Sequence, residues 1–374
     1  MLSRRTLTKL ALATPLAALT IRYAAAQVGT SSGTAPVAPE TRSLDELHKV
    51  ALAEGGNLIV YGGGDLPNGA AGMEAAFMKR FHGMKIRILI DRSKYQGVRI
   101  DNQLSLDRLQ CDAVHILAGH YYDRWKAGNH LLPYKPAGWE EVYPDFRDPD
   151  ATSVAVAVYA FSTLINTNQL SRADAPRDAI DFLNPKLRGK IALTYPQDDD
   201  SILYQFDRIV TQHGWEFVDK LMSQDVLWNR GSGVTRQRIE KGERSASFTT
   251  SGPLVPNPNQ PTAFLLPTTD SFLSWAHPAA IFRRARNPEA AKLYLSWLLS
   301  PEIQGARRQW SVRRDMPAPE GLEPIIAYNS YPVHFRDFLR DRGRLEQFRD
   351  QLEQYIGPMQ GTNPTNVVGI FPEG

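Results

Sequence analysis

From Ser43 onward, short runs rich in β-branched residues alternate with amphipathic segments, and this alternation restricts the fold more than any other feature. "SLDELHKVALAEG" (43–55) carries a serine cap, early acids and a closing glycine, the marks of a helix. "NLIVYGGG" reads as a buried strand entering a glycine turn. "GAAGMEAAFMKRFHG" reads as a second helix, with Met73, Ala76, Phe77 and Phe81 at helical spacing. "KIRILID" and "CDAVHILA" are further strands. Strands alternating with helices imply a mostly parallel sheet with helices on its faces.

"TSVAVAVYAFSTLINT" (152–167) is longer than a typical strand and suits a segment that passes from one sheet into another. Alternation then resumes with "AIDFLNP", "KIALTYP", "SILYQFDRIVTQHG", "WEFVDKLMSQ", "VLWNRGSG", "VTRQRIEKGE" and "SASFTTSG". "TAFLLPT", Thr262 to Thr268, is the expected return crossing. "NPEAAKLYLSWLLSPEIQGARRQW" is strongly helical, two helical stretches follow around Pro332–Arg340 and Arg344–Tyr355, and "GTNPTNVVGIFPEG" is a tail. The expected organisation is α/β with two lobes: residues 43–157 plus 269–374 in lobe 1, and 158–268 in lobe 2. Two crossing segments leave a cleft between them. In open α/β sheets ligands lie beyond the carboxyl ends of strands, at helix N-termini.

Residues 1–26 order a basic region (Arg4, Arg5, Lys9), an apolar run from Leu10 to Leu19 and the small residues Ala24 to Ala26, as an export signal does. Ser3 to Lys9 resembles the twin-arginine signal. Residues 27–42 read as a flexible leader. Loss of the four positive charges in 1–26 takes the formal charge from +3 to −1, which gives no support for nucleic-acid binding. The single cysteine, Cys111, forms no internal disulfide and reads as a buried apolar residue. The expectation is a periplasmic monomer.

"SLDELHKVALAEGGNLIVYGGG", "FLNPKLRGKIALTYP", "RNPEAAKLYLSWLLSPEIQ" and "WSVRRDMP" occur in this order, and together they resemble the periplasmic solute-binding proteins of iron-type ABC importers. The resemblance implies the class II periplasmic-binding fold: two hinged lobes, each a mostly parallel sheet flanked by helices, closing on a small solute delivered to an ABC permease. Ferric-binding members carry adjacent tyrosines where Thr249 and Thr250 stand here. Threonine hydroxyls stay protonated and bind Fe³⁺ poorly, so neither a ferric ion nor a cofactor is expected.

Several groups lie where the cleft should be. Gly63, Gly64 and Asp65 follow the first strand, where exposed N–H groups bind oxyanions, or form a plain tight turn. Asp198, Asp199, Asp200 and Ser201 precede a helix; one acid suffices as a cap, so the others are free to meet a solute. Arg230, Gly231 and Ser232 open another helix, with Arg230 as an anion partner or a surface charge. Thr249, Thr250 and Ser251 supply neutral hydroxyls, and His120 and Tyr121 edge the first lobe. Tyr122 and Trp125 read as helix packing, and Trp275 as core or as a stacking surface. Carboxylates favour a cationic solute group, and the glycine turns and Arg230 an anionic one; a zwitterion or polar organic molecule suits both. No nucleophile elbow or paired-histidine metal spacing appears, which argues against a hydrolase or lyase. A sensor for a membrane receptor remains the alternative to a transport subunit.

Overall fold

A computed structural model describes residues 37–255 and 259–372. The expected export signal and most of the leader lie outside these residues. The last six leader residues are not loose: Pro39 bridges Lys135, and Arg42 pairs with both Glu40 and Glu289.

The first lobe begins with α1 (Leu44–Glu54), entered through a capping box in which Ser43 and Glu46 satisfy each other's backbone N–H. It continues through β1 (Asn57–Gly63), α2 (Ala71–Arg80), β2 (Lys85–Asp91), α3 (Ser93–Ser105), β3 (Ala113–His115) and α4 (Gly119–Ala127). β2, β1 and β3 pair in parallel. Leu58 and Val60 point into one apolar cluster and Tyr61 into another, so the sheet is buried on both faces. α3 shows no apolar period. Its inward face is mostly polar: Ser93, Gln96, Arg99 and Gln103 are buried beside Gly97 and Ile100. Arg99 is held by Asp91 at 2.8 Å, and Gln96 donates to the Leu89 carbonyl.

β4 (Val154–Asn166) leaves this lobe and enters the second, which holds β5 (Ala192–Thr194), α5 (Asp200–His213), α6 (Trp215–Met222), β6 (Leu227–Asn229), α7 (Ser232–Glu240), β7 (Ala246–Thr250) and β8 (Thr262–Leu265). β5 and β6 are parallel, and β7 and β8 run antiparallel to the far half of β4. Residues 262–268 are therefore not the return crossing. β9 (Leu273–Ile281) makes it, pairing antiparallel with β4 from Val154 to Phe161 and then with β3. Pro278 hid this strand from the sequence reading, because proline is disfavoured inside a sheet. Here it faces a register shift between Ala155 and Ala157, and the Val156 carbonyl displaced there accepts from Gln304 Nε2 at 2.8 Å.

α8 (Pro288–Leu298) and α9 (Pro301–Ala306) return to the first lobe, where Tyr294 and Trp297 pack edge-on against Phe77. α10 (Val333–Arg340) and α11 (Arg342–Ile356) do not. Phe335, Phe338, Leu345, Phe348 and Leu352 join the core of the second lobe with Phe206 and Phe217. The assignment of all of 269–374 to lobe 1 is corrected for these helices, because most of their buried apolar side chains pack there.

The C-terminal segment recrosses the molecule. Gln197 donates to the Gly357 carbonyl and Arg230 to that of Gly361. Thr365 then donates to buried Asp91 at 2.6 Å, and Arg99 and Gln103 donate to the carbonyls of Gly369 and Ile370. Arg108 lies 4.3 Å from the Phe371 ring centre. Both lobes are thus strapped by one segment. Deleting residues 358–374 is expected to cost roughly 3 kcal/mol, since hydrogen bonds to buried charged groups contribute about 1.5–3 kcal/mol each. Denaturant unfolding, with hydrogen exchange reporting faster opening of α3, checks this.

Candidate functional site

The carboxyl ends of β1, β2 and β3 in one lobe face the N-termini of α5 and α7 in the other, across a cavity of about 260 Å³. The crossing strands form its floor. Tyr159 and Trp275 stack with ring centres 5.3 Å apart, and Trp275 Nε1 donates to His277 Nδ1 at 3.2 Å. His277 and His115 lie ring to ring at 5.8 Å. Burial and then the nearby Arg307 charge pull His115 down to about 4; burial and then His115 pull His277 down to about 3. Both rings are neutral at physiological pH.

The three consecutive aspartates have three different roles. Asp198 is fully buried and meets cations from both lobes: Arg92 and Lys94 from the first, Arg230 from the second. Burial alone would raise its carboxyl, but Arg92 and Arg230 outweigh this and hold it below the usual value. Asp199 caps α5, taking Ser201 N at 2.8 Å and Ser201 Oγ at 2.6 Å. Burial, then the charge of Asp65, push its carboxyl up to about 6. Asp200 is buried and turns away to Arg349 at 2.7 Å and Arg342 at 3.2 Å on α11; those two arginines overcome the effect of burial and lower its pKa.

Gly63, Gly64, Asp65, Asp198, Asp199, Asp200, Ser201, Ser232 and Ser251 line the cavity. Gly63 is required by packing as well: a Cβ there would stand 2.3 Å from Ser93 Oγ. Six expected residues do not line it. Thr249 and Thr250 are buried; Thr249 Oγ1 accepts from Thr194 N, and Thr250 Oγ1 donates to the Ser232 carbonyl. Tyr121 lies on Gly97 of α3 and stacks on Trp125, and the His120 ring tilts against Tyr121 with centres 4.4 Å apart. Arg230 is turned between Asp198 and the C-terminal strap, and Gly231 (φ 89°) packs against Asp65 and Pro364. These neighbours come from distant parts of the chain, so position in the sequence could not exclude the six.

Arg92, Ser93 and Lys94 were missed, yet they follow "KIRILID" as Gly63 to Asp65 follow the first strand, and the same rule finds them. Tyr159, Phe161 and His277 sit inside the crossing strands and carried no local signal. Among the described residues no group of three His, Cys, Asp or Glu is placed to hold a metal ion, and no helix is long and apolar enough to cross a membrane.

Residues 114–339 match the model of the bacterial extracellular solute-binding protein family. The chain belongs to that family. This solute-binding protein is 26% identical over 186 residues to the phosphoglycerate transport regulatory protein PgtC of Salmonella typhimurium, a match spanning 46% of this chain and 45% of PgtC. The chain thus spans about half the length of the curated relatives it matches. Its fold is that of iron-bound HitA from Pseudomonas aeruginosa (TM-score 0.60, 16% identity, 79% of this chain and 99% of HitA). It is equally that of an ABC-transporter substrate-binding protein from Agrobacterium tumefaciens (TM-score 0.64, 14% identity, 80% and 94% covered). Both likenesses establish the two-lobed periplasmic-binding architecture.

Asp200→Ala is expected to destabilise this solute-binding protein by roughly 3 kcal/mol, because it removes the buried carboxylate shared by Arg349 and Arg342 and leaves them only the exposed carboxylate of Glu346, whereas Asp199→Asn keeps the helix cap and costs less than about 1 kcal/mol. Urea unfolding of the two variants checks the contrast.

Acid should also weaken the fold. The depressed imidazoles of His115 and His277 mean that the unfolded chain takes protons first, so their contribution is present above pH 6.5 and lost as pH falls toward 4. Between pH 6.5 and 5 this amounts to roughly 2 kcal/mol per histidine. Asp199, raised to about 6, works in the opposite direction as one group against two. Tm is therefore expected to fall from pH 7 to pH 5, and to fall less in His115→Gln.

Proposed function

We propose that this chain is the solute-binding subunit of an ABC-type importer, exported through a twin-arginine signal and acting as a periplasmic monomer. It captures a small polar solute between its lobes and delivers it to a membrane permease. One observation carries this reading: the cavity is lined from both lobes, with its floor made by the two strands that join them. A solute held there touches both halves only when they are closed, so its binding favours the closed form by that difference in contacts.

The lining fits a polar organic molecule better than a bare ion. Aromatic and imidazole rings form one wall, and charged groups with two helix N-termini form the other. The work is binding, with no turnover of the solute. The relative's description as a transport regulatory protein favours a second reading, a sensor that presents the bound solute to a membrane receptor.

Protein purified without denaturation is expected to release a small solute on unfolding, identifiable by mass spectrometry. That solute, added back at about a hundred times its Kd, should stabilise the fold by roughly 2.7 kcal/mol. Absence of any stabilising solute, or its chemical conversion on incubation, would refute the binding role. Cross-linking in the native membrane separates permease from receptor.

A further inference from the structure

The N-terminus of α7 is capped from the opposite lobe. Its own cap position is Gly231, which has no side chain to offer, so the first N–H groups have no local acceptor. Asp65 supplies one: its Oδ2 accepts from Ser232 N at 2.8 Å, Ser232 Oγ at 2.7 Å and Gly233 N at 3.3 Å. Asp65 follows β1 in the first lobe, and this contact exists only while the lobes are together.

The other end of the same slot is underfilled. Arg92 is only 4% exposed, yet its Nε and Nη2 have no hydrogen-bond partner. Nη2 stands 3.5 Å from Asp65 Oδ1, beyond a good bond for a buried guanidinium. A single aspartate carboxylate, fixed on its own backbone, satisfies α7 but falls short of Arg92. A free oxyanion able to sit centrally in the slot would reach both.

We propose that Asp65 is an internal stand-in for an oxyanion of the solute: its carboxylate occupies the slot between α7 and Arg92 when the cleft is closed and empty, and leaves when a solute's carboxylate or phosphoryl group enters. The proposal rests on the cleft being the solute site. It makes Asp65 a specificity-determining residue with two effects. A tethered carboxylate competes with every incoming anion at a high effective concentration, so weak anions are rejected. Its charge also repels a second anion in a slot that already has Asp199 beside it. Only a solute whose remaining atoms bind the aromatic floor gains enough to displace Asp65. Common inorganic anions do not.

Asp65→Asn tests this, because the amide oxygen can still cap α7 while the competing charge is gone. The probe is inorganic phosphate, titrated by calorimetry. Wild-type protein is expected to bind phosphate weakly, and Asp65→Asn and the shorter Asp65→Ser at least about ten-fold more tightly. Ser232→Ala added to Asp65→Asn should take back part of that gain. Phosphate binding unchanged or weakened in both variants would overturn the proposal and leave Asp65 as a structural cap or a direct solute contact. X-ray scattering of the unliganded proteins is the second measurement. The stand-in role requires the Asp65→Ser protein to be more open than wild type, and equal radii of gyration would count against it. Failure of the cleft reading looks different: no solute from either protein, and no phosphate binding that depends on Ser232.

Discussion

The antiparallel pairing of β4 with β9 is the constraint on which everything else in this molecule rests. It is the sheet connection that both lobes share, and its side chains Tyr159, Phe161, Trp275 and His277 are also the floor of the cavity. The pairing that joins the lobes therefore also floors the cavity. Its weak point is also specified: Pro278 cannot donate to the ladder, a register shift in β4 opposes it, and Gln304 holds the carbonyl that the shift sets free. Gln304 comes from the α8–α9 segment of the first lobe and also accepts from Ser311 and Val312, so the bend is fixed from one side only.

Charge is arranged around these strands as a closed circuit. Arg92 and Lys94 from one lobe and Arg230 from the other converge on Asp198, while Asp200, at the edge of the cavity, is held by Arg342 and Arg349. Buried ion pairs gain little net stability, because desolvation offsets attraction. Their effect here is geometric. They fix where the lobes meet, and they leave two nitrogens of Arg92 without a hydrogen-bond partner beside Asp65. The C-terminal strap adds a further tie, running on from α11 to hydrogen bonds with Asp91 and with Arg99 and Gln103 of α3.

What the chain revealed by itself follows from periodicity. The serine cap and closing glycine of α1, the buried apolar run of β1 and the length of β4 were all legible, because each is a local pattern. β9 and α3 were not. His277 and Pro278 break the strand pattern of the first, and most of the inward face of the second is polar. Those polar side chains of α3 are bound to Asp91, to the Leu89 carbonyl and to the C-terminal segment, partners that no local pattern announces.

The sequence alone determined that this is an α/β chain with helix N-termini and acids gathered near strand ends, because caps, turns and apolar runs are encoded within a few residues of one another. Only the tertiary structure decided which acids face the cleft. Asp198, Asp199 and Asp200 are adjacent in the chain, but successive side chains at a helix start point in different directions, and the arginines that claim two of them come from α3's approach and from α11. The partner of a charge is set by packing between distant segments, and no local pattern records it.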